Sequence, residues 1–253
     1  MSQLNPIRNY TPALSYHCLT PLYDGVVAVF TREHKWRPRF VDLVDPQPGE
    51  TILDIGCGTG STALALKQRC PEARIIGIDP DPRVLNTARK KADRRRLEIE
   101  LHVGYGQAPP AILQGTRFTK ITSSLVLHHI HMDHKHQTFA AARTFLGDRG
   151  VLFLADFGQQ RSRLMRHLFR IVQVCDGFEA TGPHADGQLP GIMAAAGFTH
   201  VEELEAIRTP IGSISLFRAS TLPPANSAST RECGRPPQAN SAGEQGTAGE
   251  RRT

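Results

Sequence analysis

Short apolar runs of strand length alternate with segments of helical periodicity through most of the chain. Such runs fit buried strands, whereas apolar residues spaced three and four apart fit one face of a helix. The pattern predicts strands at 51–55, 74–78, 97–103, within 118–127, and at 150–156, 200–208 and 213–218. It predicts helices at 22–44, 61–69, 82–95, 134–146, 161–175 and 189–196. This order predicts an α/β, Rossmann-like fold: a doubly wound, seven-stranded, mostly parallel sheet with helices on both faces.

Local signals set several of the predicted helix ends. Asp81 is placed to cap the helix that follows it, with Pro82 in the first turn. Gly197 follows the helix at 189–196 as its C′ residue. Pro38 is expected to break or restart its helix, because proline lacks a backbone N–H and clashes with the preceding turn.

Composition divides the chain into three parts. Residues 1–45 are expected to form an N-terminal arm and helical cap, and residues 46–218 a single α/β domain. Residues 219–253 contain no aromatic residue, isoleucine or valine and are rich in Pro, Ala, Ser, Gly and charge. Such a segment buries too little apolar area to offset its ordering entropy, so this tail is predicted to be disordered.

The formal net charge is +6, and much of the basic charge is clustered at 89–91, 94–96 and 161–170. A basic face of this kind can bind nucleic acid. Basic residues near a helix end also complement the helix macrodipole, and a solvated basic face explains the clusters without any partner. We therefore treat nucleic-acid binding as the weaker interpretation of the charge.

The cysteines and the hydropathy of the chain indicate which cellular compartment to expect. The five cysteines are scattered without a Cys-x-x-Cys pair: Cys18, Cys57, Cys70, Cys175 and Cys233. This argues against a disulfide framework and a structural zinc site, and predicts a reduced, cytoplasmic protein. There is no apolar run of about 18 residues, so no membrane span is expected, and residues 1–6 show no signal-peptide pattern.

Residues 51–60, Thr-Ile-Leu-Asp-Ile-Gly-Cys-Gly-Thr-Gly, carry the strongest functional signal. A buried strand passes through three alternate glycines into a helix N-terminus, so a ligand can approach the backbone closely. Asp79 ends the next predicted strand, about 20 residues on, where nucleotide-binding α/β folds place a ribose-hydroxyl acceptor. A dehydrogenase site is the nearest alternative, but its Gly-x-Gly-x-x-Gly spacing differs and Asp54 would repel its diphosphate. A cofactor with an ammonium group suits Asp54 better.

With these elements placed, the chain resembles the class I S-adenosylmethionine (SAM) dependent methyltransferases, most of all the ubiquinone and menaquinone carbon methyltransferase branch. The resemblance covers roughly residues 19–218. It is carried by Leu-Asp-Ile-Gly-Cys-Gly-Thr-Gly at 53–60, Gly-Ile-Asp at 77–79 and Ser-Ser-Leu-Val-Leu-His-His-Ile at 123–130. Tyr-Asp at 23–24 and Trp-Arg at 36–37 are similar to the helical cap of the quinone-type enzymes.

The resemblance implies SAM as the cofactor and a set of residues that bind it. Asp54 would orient the glycine turn and face the ammonium group, and Asp79 would accept hydrogen bonds from the ribose hydroxyls. Where the family often has an acid near the adenine, this chain has Gln107, whose amide oxygen would take that role. The complete set is Tyr23, Asp54, Gly56, Cys57, Gly58, Thr59, Gly60, Asp79, Pro80, Gly106, Gln107, Ser124 and Leu125.

Histidines follow the fourth predicted strand. His128 and His129 sit where a methyl acceptor would lie, and either neutral imidazole could accept a proton from it. A packing or orienting role explains them equally well. His131, His134 and His136 complete a dense cluster, but no carboxylate or cysteine joins it at helical spacing, so no metal site is expected.

These observations predict a SAM-dependent methyltransferase (EC 2.1.1.-) acting on a small molecule, for which an aromatic or quinone-like acceptor is the first candidate. The alternative is an RNA or protein methyltransferase that uses the basic helices to bind its substrate. Methylation of exocyclic base amines is disfavoured, because the Asn/Asp-Pro-Pro-aromatic turn of those enzymes is replaced here by the serine- and histidine-containing run at 123–130. The sequence leaves open the acceptor, the atom methylated and the oligomeric state.

Overall fold

The computed structural model describes residues 30–222. Seven strands form one sheet in the order β3-β2-β1-β4-β5-β7-β6. Their bounds are β1 Thr51–Ile55, β2 Arg74–Asp79, β3 Glu100–Val103, β4 Phe118–Ser124, β5 Leu146–Phe157, β6 His200–Thr209 and β7 Gly212–Ser220.

The sheet is mostly parallel. Strands β1 to β5 pair in parallel, and β7 lies antiparallel between β5 and β6. The chain winds outward from β1 to β3, then crosses back to place β4 on the other side of β1. This reversal creates a switch point at the carboxyl ends of β1 and β4, where folds of this type bind ligands. The predicted seven-stranded, doubly wound sheet is confirmed.

The described helices are α1 Glu33–Val44, α2 Ser61–Arg69, α3 Pro82–Arg95, α4 Met132–Phe145, α5 Arg163–Asp176, α6 Phe178–Ala185 and α7 Leu189–Ala195. Helix α6 was not predicted, because its eight residues include Gly182 and Pro183 and show no clear apolar period. Short 3₁₀ turns lie at Ala111–Leu113 and Leu127–His129. No helix within residues 30–222 is long and apolar enough to cross a membrane.

Two apolar layers cover the two faces of the sheet, as the alternation of side chains along each strand requires. Leu53 and Leu154 belong to the layer formed with α4 and α7. Ile52 and Phe153, their neighbours in sequence, belong to the layer formed with α1, α2 and α5. Because both faces are buried, the central strands are apolar at nearly every position.

The local signals were correct at two helix ends and wrong at one internal position. Asp81 caps α3 by accepting the Arg83 backbone N–H at 2.8 Å, and Gly197 has a φ of 96° just past α7. The predicted break at Pro38 is wrong, since α1 continues through it. The fully buried Trp36 on the same helix anchors it against the core and offsets the hydrogen bond that proline cannot make.

Several boundaries differ from the prediction. Strand β3 begins at Glu100 rather than residue 97, and β5 begins at Leu146, because Leu146 also pairs with Phe118 of β4. Strand β7 reaches Ser220, two residues past the predicted end of the domain. Most of the proposed N-terminal arm and nearly all of the proposed disordered tail lie outside the described residues.

Candidate active site

The glycine turn lies between the end of β1 and the start of α2. The Gly56 and Cys57 backbone N–H groups both donate to the Ile78 carbonyl, at 2.8 and 3.0 Å, which ties the turn to β2. Gly56, Gly58 and Gly60 have φ values of 67°, 53° and 78°, a region that L side chains rarely adopt.

The three glycines serve different purposes. A Cβ on Gly56 would overlap the Val126 side chain, and one on Gly60 would lie 2.9 Å from the Cβ of Ala88. A Cβ on Gly58 would meet nothing within 4 Å. Gly56 and Gly60 therefore allow close packing, and the open space over Gly58 is where a ligand can approach the backbone.

Asp79 ends β2 beside this open space. Its Oδ2 accepts the Gly58 backbone N–H at 3.0 Å and its Oδ1 accepts the Asp81 N–H at 2.9 Å. An ionised carboxylate has about four acceptor positions, so each oxygen retains capacity for a hydroxyl donor. Burial raises the pKa of Asp79, and the two backbone N–H groups oppose that rise. Asp79 thus fits a pair of ribose hydroxyls.

Asp54 is completely buried on β1. Its Oδ1 accepts the Thr122 hydroxyl at 2.8 Å, whereas Oδ2 makes no hydrogen bond within residues 30–222. Burial raises the pKa of Asp54 to about 7, although the Thr122 hydroxyl and the Arg37 guanidinium favour the ionised form. A buried carboxylate with an unpaired oxygen behind the glycine turn fits an ammonium group.

Ser124 and Leu125 lie at the end of β4, on the same edge of the sheet. The Ser124 hydroxyl is 2.9 Å from the Thr62 hydroxyl at the start of α2. Leu125 has a φ of 55° and donates its backbone N–H to the Ala155 carbonyl at 2.8 Å. Strain of this kind in a non-glycine residue is common where a loop lines a binding site.

The remaining predicted cofactor residues surround the turn. Pro80 and Gln107 are half-buried, and Gly106 packs so closely that a Cβ there would lie 2.8 Å from Ile55. The Thr59 hydroxyl accepts a hydrogen bond from the Lys91 ammonium at 2.7 Å. Tyr23 lies outside the described residues.

Cys57 contributes its backbone and its small size. Its Sγ fills the space beside Gly77, where a Cβ would come within 2.7 Å of it. Burial, together with the nearby Asp54 and Asp79, raises the pKa of this thiol well above its usual range. Cys57 is therefore a thiol rather than a thiolate, which removes it as a candidate nucleophile.

Asp156, on β5, organises the loop after β4. Its fully buried carboxylate accepts the backbone N–H groups of Val126, Leu127 and Phe157 at 3.2, 2.8 and 2.7 Å. It also lies 2.6 Å from Nδ1 of His128. Burial acts to raise the pKa of Asp156, but its hydrogen-bonded partners hold it well below its usual range. Asp156 therefore fixes both the loop and the orientation of the His128 ring.

Asp176, the last residue of α5, faces both adjacent histidines. Its Oδ1 lies 3.2 Å from Nδ1 of His129, and its Oδ2 lies 3.9 Å from Nε2 of His128. The two imidazole rings are 3.9 Å apart and tilted by 41°. Burial and the neighbouring His128 lower the pKa of His129, although Asp176 opposes the change. His129 is therefore neutral near pH 7 and able to accept a proton.

Two further buried groups hold α6 against this loop. Lys135 donates to the carbonyls of Ile130 and Ala180 at 2.8 and 2.5 Å, and burial lowers its pKa to about 8. His184 Nδ1 is 2.8 Å from the Phe157 carbonyl, and burial lowers its pKa to about 4. His184 is thus neutral near pH 7 and donates this hydrogen bond.

Sequence reasoning missed the carboxylates of this cluster. Asp156 could have been found from the sequence, because, like Asp79, it is an acidic residue at the end of a buried strand. Asp176 had none, because only the packing of α5 brings it to the histidines. Among the described residues His131 reaches a different acid, Glu179, at 3.6 Å, and it stays outside the group formed by His128, His129 and Asp176.

The fold and this site define a class of protein. Residues 52–150 match the family model described as a methyltransferase domain. With the sheet order and the glycine turn, the match identifies these residues as a methyltransferase domain of the class I, SAM-dependent type. The resemblance stated from the motifs is confirmed.

Relatives and solved structures agree with this assignment. The demethylmenaquinone methyltransferase of Thermus thermophilus is 41% identical over 83 residues, 32% of this chain and 38% of the relative. The nocamycin O-methyltransferase of Saccharothrix syringae is 36% identical over 112 residues, 42% of this chain and 38% of the relative. This chain therefore spans less than two fifths of each of these relatives. The magnesium protoporphyrin IX methyltransferase of Synechocystis, solved with bound S-adenosylhomocysteine (SAH), covers 79% of this chain with a TM-score of 0.53 at 18% identity, and 81% of that chain is covered.

Proposed function

We propose that this chain transfers the methyl group of SAM to a small-molecule acceptor, with an aromatic or quinone-like hydroxyl or enol as the first candidate. The observation that carries the proposal is the contact between Val126 and Gly56, which leaves no room for a Cβ. This contact joins the loop bearing His128 and His129 directly to the glycine turn. A neutral imidazole of this loop would thus lie close to the cofactor site that we propose. Relatives named for a demethylmenaquinone and for O-methylation support this substrate class.

Bound SAM supplies a methyl group that its sulfonium charge has already activated. The protein has to align the acceptor with that group and exclude water. Asp79 would hold the ribose, Asp54 would face the ammonium group, and Gly58 would admit the cofactor to the backbone. The transfer would join the acceptor to the methyl carbon as the carbon–sulfur bond breaks, with SAH as the leaving product and the acceptor proton passing to a base in the site.

His129 is the better candidate for the base that takes the acceptor proton. Its side chain is 24% exposed, against 5% for His128, whose Nδ1 is already engaged by Asp156. With Nδ1 of His129 donating to Asp176, its Nε2 carries the lone pair that accepts the proton. His128 would orient the pair rather than react.

Ion pairs at the start of α5 and just before it favour the small-molecule proposal over the RNA or protein alternative. Arg161 pairs with Glu203 at 2.7 Å, and Arg166 pairs with Asp186 at 3.2 Å. Basic side chains already paired with acids offer less charge to a phosphate backbone than isolated ones. The charge therefore fits a solvated face.

An assay with tritiated SAM separates the two substrate classes. The protein is incubated with total RNA, with total protein, or with a small-molecule extract, and the transferred label is counted in each fraction. We expect label in the organic-soluble small molecules. Counts that precipitate with RNA or protein would overturn the proposal in favour of the alternative.

A further inference from the structure

The cluster at the acceptor side of the site has the composition of a metal centre. His128, His129 and Asp176 each offer one ligand atom, and these atoms lie within 4.8 Å of one another. We propose that these three side chains bind a divalent transition-metal ion of the zinc type. The prediction that no metal site exists considered only ligands at helical spacing from the histidines. The Asp176 carboxylate comes instead from α5, a different helix.

The distances suit such an ion. Zinc binds histidine nitrogen and carboxylate oxygen at about 2.0–2.2 Å in a tetrahedron, which puts neighbouring ligand atoms about 3.3 Å apart. Oδ1 of Asp176 lies 3.2 Å from Nδ1 of His129, and Oδ2 lies 3.9 Å from Nε2 of His128. With one ligand atom from each residue, the three atoms lie within 4.8 Å of one another, so they would have to draw together around an ion.

The surroundings of His128 provide a second and independent argument. A histidine that ligates a metal usually donates its other ring N–H to a carboxylate, which fixes the tautomer and the ring orientation. The buried Asp156 carboxylate lies 2.6 Å from Nδ1 of His128 and Nε2 faces Asp176, so in the tautomer with the proton on Nδ1 the lone pair of Nε2 is available to an ion. The fold therefore already contains a histidine whose ring is oriented by a carboxylate and whose second nitrogen is available to an ion.

The donor set also indicates what kind of site this is. Two histidines and one carboxylate are the protein ligands of several catalytic zinc sites, which keep a further position for an oxygen ligand. That position suits an acceptor hydroxyl, whose pKa falls when a zinc-type ion binds its oxygen. With the ion on its Nδ1, His129 keeps its proton on Nε2, so in the metal-loaded enzyme the ion replaces His129 in activating the hydroxyl. This acceptor role rests on the proposed function, whereas ion binding itself does not.

The test is metal binding to the full chain after removal of bound ions with a chelator. Co²⁺ is added as a probe, because its visible d–d absorption reports coordination number, and Zn²⁺ is then titrated in competition. We expect one tight site with the absorption of a four- or five-coordinate nitrogen and oxygen site. Asp176→Asn and His128→Asn should each weaken Zn²⁺ binding at least about tenfold. Circular dichroism and SAM affinity identify any variant that has failed to fold.

Two nearby groups provide matched controls. His131→Asn removes a histidine of the same loop with its own acidic partner, and Cys175→Ser removes the exposed thiol next to Asp176. Both should leave the tight site unchanged. Absence of a tight site, an affinity unaffected by Asp176→Asn in folded protein, or loss of the site in Cys175→Ser would each overturn the proposal. Metal binding without methyl transfer to any acceptor would refute the proposed function while leaving the metal site standing.

Discussion

Asp54, which we propose faces the ammonium group of SAM, should make SAM binding depend on pH. In the ligand-free protein, burial raises the pKa of this carboxyl to about 7, so near neutrality about half of the molecules carry it protonated. An ammonium group behind the glycine turn stabilises the ionised form. The pKa of Asp54 is therefore lower in the SAM complex than in the free protein, and SAM binding releases a proton below about pH 7.

The size of the effect follows from the ionised fraction. With a pKa of about 7, this fraction is about 0.09 at pH 6 and about 0.76 at pH 7.5. Because the α-amino group of SAM is itself only about 60–75% protonated at pH 7.5, the Kd for SAM should be about five- to sixfold higher at pH 6. The comparison does not extend above pH 7.5, because the α-amino group of the ligand has a pKa of about 7.7–8.0 and loses its own positive charge there. Asp79, Arg37 and Thr122 also face or neighbour this carboxylate.

Titration calorimetry at the two pH values measures this dependence, and repeating it in buffers of different ionisation enthalpy counts the released proton. Asp54→Asn keeps the size of the side chain and removes its titration. Its Kd should be nearly the same at both pH values and higher than that of the wild type at pH 7.5. A wild-type Kd that does not change with pH, or an Asp54→Asn variant with the same pH dependence as the wild type, would refute the reasoning.

Three further predictions concern stability and turnover. Gly56→Ala should lower the free energy of unfolding by about 2–4 kcal/mol, because the new Cβ is strained by the positive φ and overlaps Val126. Gly115→Ala has a similar φ of 82° but meets open space, so it should lower the free energy of unfolding by only about 1 kcal/mol. Equal losses in denaturant unfolding would contradict the packing argument. The pKa of Lys135 is about 8 folded and 10.5 unfolded, so the unfolded chain binds more protons between these values and stability should rise with pH across them. Lys135→Met should abolish this rise, and a rise that persists in the variant would assign it to another group. His129→Ala should lower kcat about 10²–10⁴-fold with SAM affinity unchanged, and full turnover would exclude it as the base.

The sheet and the candidate cofactor-binding residues could be predicted from the sequence because local patterns indicate them. The strand at 51–55 is apolar on both faces, and its glycines and Asp79 occupy positions that backbone geometry demands. These features depend on residues close to one another in the chain.

The acceptor side depends on contacts between distant parts of the chain. Asp176 meets His129 only because α5 packs across the sheet, and no spacing in the sequence encodes that distance. Helix α1 continues through Pro38 because the buried Trp36 outweighs a local preference. Such tertiary effects are where pattern reasoning fails.

The most direct test of the SAM site is calorimetry of SAM and SAH with the wild type and Asp79→Asn. Asp79 accepts the Gly58 backbone N–H of the glycine turn and, in our proposal, would also accept the ribose hydroxyls. We expect one SAM per chain in the wild type, competition by SAH, and at least about tenfold weaker binding in folded Asp79→Asn, the loss of one to two charge-assisted hydrogen bonds. No binding by the wild type, or equal affinity in Asp79→Asn, would contradict the account.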